Sequence, residues 1–171
     1  MLKGTRKLNK TISNELSVFG ITRCILGTEY SYSYDKNDIM YKIDLDIEDK
    51  YFSDFIFDRF GYDDTGMEFI ISLLHEVGHS KANDEIEGSI FDFCMEEKNR
   101  IFKEMETAET DEEVRKLEYQ YFNLPDEIMA TAWAIKYVRQ HPIEVQIMWA
   151  VMKEAILNFY KANGLFQDTE V

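Results

Sequence analysis

Positive charge, proline and cysteine are all scarce in this chain of 171 residues. Nineteen Lys and Arg stand against 33 Asp and Glu, a formal charge of −14. That balance argues against direct binding to nucleic acid or to an anionic membrane surface, both of which need basic groups. Two prolines and a 45% apolar content exclude a disordered or low-complexity chain. Cys24 and Cys94 are far apart and sit in apolar surroundings, so they read as reduced core residues rather than a disulfide framework or a CxxC site. No run of about twenty apolar residues is present, which excludes a membrane-spanning helix. The opening "MLKGTRKLNKTISNELSVFG" is basic but lacks the apolar run of a signal peptide, and a cytoplasmic protein is expected. The length suits one domain with a core of its own.

What is present is mostly helical pattern. Leu8, Ile12, Leu16 and Phe19 make an amphipathic stripe over residues 5–18. Ile39, Tyr41, Ile43, Leu45 and Ile47 alternate with Met40, Lys42, Asp44, Asp46 and Glu48 and predict a half-buried strand, preceded by the turn "DKND" and the alternating Tyr30, Tyr32 and Tyr34. A third short strand is expected near 22–27, and the small sheet is expected to be antiparallel. An edge position for the 39–47 strand would let it hold an extended peptide by strand addition. From residue 49 the pattern is helical: 49–62, then a helix of about 66–80 with Thr65 and Glu68 as a capping box. Charged helices over 84–109 and 110–123 follow, with Asp84 and Glu87 as cap and capping partner of the first and Thr110 with Glu113 capping the second. Their acidic runs "MEEKNR" and "DEEVRK" read as solvated faces with i,i+4 pairs. Pro125 and Pro142 open two further helices. The class is α+β, a small early sheet packed on a helical majority.

One segment breaks these patterns. "FIISLLHEVGHSKAND", residues 69–84, is apolar nearly all round in its first half and then carries two of the chain's three histidines with a glutamate between them. A buried helix tolerates ionisable groups only when they find partners. His75 and His79, four apart, lie about 40° apart around a helix and about 6 Å along it, so both rings can point at one ion. Glu76, on the neighbouring stripe, cannot join as a ligand but can reach a water held there. This is the H-E-x-x-H zinc arrangement, with Glu76 as general base. Zn2+ polarises a carbonyl and lowers the pKa of water, which explains why the chemistry needs these three residue types at this spacing. The alternative is a pair of histidines satisfied as ordinary core or surface residues. Gly78, inside the motif, costs helix stability but permits close backbone approach.

A catalytic zinc needs a third protein ligand. The metzincin continuation is excluded, because Ala82 and Glu85 stand where it needs Gly and His. His141 precedes Pro142 at an interhelix turn, where exposure explains it. Glu127, in the first turn of the 125–140 helix, is the strongest candidate. Ala130 and Ala134 share its stripe and would let that helix pack tightly against the motif helix. Taken alone, Glu127 reads as an N-terminal charge serving only the helix dipole. An oxyanion donor is usually a Tyr, His or Arg near the metal; Tyr121 is preferred to Tyr119 and Tyr137.

"HEVGH" followed by "EIMATAWA", Glu127 to Ala134, resembles the ImmA/IrrE-type metallopeptidases over about residues 65–140. The resemblance implies a minimal gluzincin fold with His75, His79 and Glu127 on zinc. Members occur in bacteria and mobile elements and cleave transcriptional repressors. Thr131 stands where the family places Asn or Asp, so Thr131 or Asp126 would orient a zinc histidine. Residues 84–123 would be an insertion that gates or caps the site. The expected function is zinc-dependent hydrolysis of a peptide bond in a protein partner. The alternatives are a zinc-stabilised binding protein with an acidic surface, or a metal hydrolase acting on a non-peptide amide.

Overall fold

In a computed structural model, which describes residues 2–43, 50–82, 86 and 88–165, the chain forms an α+β fold with a helical majority and one small early sheet. The order is α1 (Thr5–Leu16), a 3-10 turn (Ser17–Phe19), β1 (Arg23–Leu26), β2 (Ser31–Ser33), β3 (Asp38–Tyr41), α2 (Lys50–Phe60), α3 (Glu68–Ala82), α4 (Gly88–Met105), α5 (Asp111–Phe122), α6 (Pro125–Gln140) and α7 (Pro142–Asn163). Contacts divide it into two compact units, Met1–Ile43 with Val138–Val171, and Asp44–Tyr137. None of the helices among the described residues is long and apolar enough to cross a membrane.

In the first unit, α1 buries Leu8, Ile12 and Leu16, the stripe that the fourfold spacing predicts. The sheet is mixed rather than antiparallel. β2 and β3 form the expected antiparallel hairpin, with Asn37 at φ 52° in its turn. β1 pairs with β3 in parallel, giving the order β1-β3-β2. The link after Leu26 makes this possible: Gly27 donates its N–H to Tyr41 O, and a Cβ there would collide with the Met40 side chain. The chain thus passes the end of β3 and returns on its far side.

β3 is therefore central over Asp38–Tyr41 and offers no edge to a peptide, contrary to the strand-addition expectation; its expected continuation through 44–47 lies outside the described residues. The outer edge of β1 is closed by α1. Ser13 Oγ accepts from Cys24 N–H at 2.8 Å, and Asn9 Oδ1 accepts from Leu26 N–H at 3.0 Å and from Tyr41 O–H at 2.7 Å. α7 contributes Val145, Met148, Met152, Ile156 and Phe159 to the core. Its end is tied to the start of the chain by reciprocal bonds between Asn163 and Lys3.

The second unit is built around α3, whose residues 69–79 are all buried. Phe52 and Phe55 of α2 pack on Phe122 of α5 with ring centroids 5.1 and 5.5 Å apart. The Thr110–Glu113 capping box of α5 is formed in both directions. The one expected at Thr65 is not. Asp63 Oδ1 takes both the N–H and O–H of Thr65, and Glu68 Oε1 accepts from Gly66 N–H. Gly66 at φ 76° lies between them, so α3 begins at Glu68. The expected cap pair Asp84 and Glu87 lies outside the described residues. Between α4, α5 and the start of α6, a small core gathers Cys94, Ile101, Leu117 and Leu124.

Candidate metal centre

α3 presents His75 and His79 from one face, with their Nε2 atoms 3.1 Å apart. α6 brings Glu127 Oε2 to 3.0 Å from His75 Nε2 and Oε1 to 3.5 Å from His79 Nε2. What permits this approach is the absence of side-chain bulk between the helices. A Cβ on Gly78 would lie 2.8 Å from Ala130 Cα and C, and closer still to its carbonyl oxygen. Ala130 and Ala134 are fully buried, so the small-residue stripe of α6 does lie against the motif helix.

The residues fit a metal ion. Two donors on a tetrahedral ion at ordinary zinc distances are separated by about 3.4 Å, and the three spacings here run from 3.0 to 3.5 Å. Glu127 Oε2 is buried with no hydrogen-bond partner despite its nearness to His75, which leaves a desolvated anionic oxygen facing the two imidazoles. Among the described residues, His75, His79 and Glu127 form the group able to hold a cation.

Thr131 sets the tautomer of His75. Its hydroxyl donates its only proton to Glu127 O, one turn back, at 2.8 Å. It must therefore accept, and the atom it faces at 3.0 Å is His75 Nδ1. With the proton held on Nδ1, neutral His75 carries its lone pair on Nε2, the atom that faces Glu127 and His79. Of the two expected orienting residues, Thr131 fills the role and Asp126 does not. The Phe52 ring holds His75 from another side, edge-on at 5.0 Å.

The site is buried: His75, Glu76, His79 and Glu127 are 5, 6, 6 and 0% exposed. Burial raises the Glu76 carboxyl above its ordinary range, against the pull of the histidines and of Lys98. Burial also opposes ionisation of Glu127, but the two imidazoles beside it, His79 foremost, outweigh burial and hold that carboxyl well below its usual range. For His79 the order is the mirror image. Burial favours the neutral ring, and the Glu127 carboxylate outweighs it and raises the pKa.

One residue in this cluster corrects the sequence reading. Lys98, in the run whose pattern predicts a solvated face, is turned inward with its side chain 12% exposed. Its ammonium bonds Asp126 Oδ2 at 2.5 Å and also bonds Glu127 Oε1. The same ammonium lies 5.3 Å from the centre of the Tyr121 ring. Arg100 does behave as the run predicted, pairing with Glu97 and Glu104 in solvent. The signal for Lys98 was its place opposite Arg100 and one turn past the buried Cys94.

Tyr121 belongs to the cluster too. Burial, and then the charges of Glu127 and Glu76, push its phenol well above the ordinary value. Tyr119 is exposed, and Tyr137 stacks on Trp133 with ring centres 5.3 Å apart. His141 is the N-cap residue of α7, with Nδ1 3.1 Å from Glu144 Oε2, and is not part of the group. Comparison with protein-family models, curated proteins and solved structures finds no match to this chain.

Proposed function

We propose that this chain is a zinc-dependent metallopeptidase of the gluzincin kind. The observation that carries the reading is the buried convergence of His75, His79 and Glu127, with Glu76 on the same helix beside them. The two imidazole Nε2 atoms and the Glu127 carboxylate would hold the ion. A zinc ion there would supply Lewis-acid polarisation and lower the pKa of water. Glu76, its carboxyl raised by burial, takes the proton from the attacking water and returns it to the departing amine nitrogen. Tyr121 donates its phenolic hydrogen to the oxygen on which negative charge develops. Thr131 keeps His75 in the binding tautomer. The substrate is a peptide bond in a protein partner. The resemblance of "HEVGH" and "EIMATAWA" to ImmA/IrrE-type enzymes suggests a transcriptional repressor, by analogy.

The burial of all four side chains favours a second reading, a protein in which the ion only holds α3 to α6 and the acidic surface meets a basic partner. Metal analysis of the purified chain should give close to one zinc per molecule, and none after zinc is supplied would end the metal reading. Glu76→Gln should retain zinc and lose cleavage of protein substrates. Full biological activity in that variant would establish the second reading instead, and cleavage confined to small non-peptide amides would reassign the substrate class.

A further inference from the structure

Lys98 stands on the third ligand itself. Its ammonium bonds Glu127 Oε1 and Asp126 Oδ2 together, and its side chain is nearly buried, against the Tyr121 ring. Its partners make the geometry one-sided: Oε1 of Glu127 is bonded to the lysine, while Oε2, toward His75, has no hydrogen-bond partner. Glu76, Asp126 and Glu127 are all buried, and the ammonium touches two of these three side chains.

We propose that Lys98 is a built-in competitor for the metal: a fixed cation on Glu127 that weakens metal binding. The inference rests on the metal reading above and deepens it. Two consequences have opposite signs. A positive charge in contact with a ligand carboxylate repels an incoming cation and draws electron density from that carboxylate, so its removal strengthens binding. Asp126 shares the ammonium with Glu127. When it is neutralised, Lys98 rests on Glu127 alone and one favourable charge is lost, so binding weakens. A residue with only a scaffolding role would weaken binding in both cases.

The test is a competition titration of the full chain with Zn2+ against a chromophoric chelator, together with thermal melts with and without the metal. Lys98→Met, close in length and able to remain against Tyr121, should bind zinc at least tenfold more tightly than wild type. Its metal-free melting temperature should fall, because two buried carboxylates lose their partner. Asp126→Asn should bind zinc at least threefold more weakly. Unchanged or weaker binding by Lys98→Met, with wild type binding normally, overturns this inference alone. Failure of wild type to bind any divalent metal overturns the metal reading and this inference with it. Should Lys98→Met not fold without metal, Asp126→Asn decides: unchanged or tighter binding refutes the competition.

Discussion

Replacing Gly78 by alanine sets two physical effects against each other at the point where α3 meets α6. A glycine inside a helix costs about 1 kcal/mol relative to alanine, so propensity alone predicts stabilisation. The added Cβ, however, would lie 2.8 Å from Ala130 Cα and C. These are backbone atoms, which no rotamer change can move aside. To restore ordinary contact the helices must separate by roughly 1 Å, and overpacking of this kind costs about 1–3 kcal/mol or more. The collision should win. The expected net loss is up to about 2 kcal/mol, a fall in melting temperature of up to about 8 °C for a chain of this size. The separation also moves Glu127 away from His75 and His79, so zinc affinity should fall at least tenfold. Gly88→Ala is the matched control: it begins α4, and a Cβ there meets nothing within 4 Å. It should leave zinc affinity unchanged and stability equal or slightly higher. Thermal melts by circular dichroism and a zinc competition titration read both quantities. If Gly78→Ala melts as high as Gly88→Ala and binds zinc as tightly as wild type, the close-approach account of this site is wrong.

Thr131→Val keeps the shape of a fully buried side chain but removes the hydroxyl that fixes His75; zinc affinity should fall about 10- to 100-fold. Measuring stability alongside should show a loss of about 1–3 kcal/mol, and affinity equal to wild type would contradict the tautomer argument. Asn9→Ala removes the acceptor shared by Leu26 N–H and Tyr41 O–H; denaturant titration should show a loss of about 1–3 kcal/mol. Burial pushes the Cys24 thiol up to about 12. The folded chain then keeps its proton after the unfolded chain has lost one, so Cys24 contributes stability that declines as pH rises from about 9 toward 12. Cys24→Ala should flatten that decline, and a native thiol assay near pH 8 should find Cys24 unreactive.

The metal motif was legible because its information is local. Four-residue spacing places His75 and His79 on one face of any α-helix, and the apolar run before them already described a buried one. Glu127 was legible at one remove, through the small-residue stripe of Ala130 and Ala134 and the resemblance carried by "EIMATAWA"; its match to Gly78 on the other helix emerged only in three dimensions. Lys98 was not, because a charged run reads as one surface when it is two. Arg100 pairs with Glu97 and Glu104 in solvent, whereas Lys98, two residues earlier, points about 200° away around the helix. The parallel pairing of β1 was hidden for a different reason. Alternation shows which face of a strand is buried, but not which neighbour lies beside it. The order β1-β3-β2 depends on a four-residue link crossing the end of a strand.

The side chains of Asn9 and Ser13 that close the outer edge of β1 bear on how these molecules behave when crowded together. An unpaired strand edge is a template on which another chain can polymerise. Here the Cys24 and Leu26 N–H groups on one border of the sheet are already spoken for by a helix. The opposite border is the short strand Ser31–Ser33. With a formal charge of −14 adding mutual repulsion, the fold carries its own protection against fibre growth, and damage to α1, which also buries Leu8, Ile12 and Leu16, would uncover that edge as it opened the core.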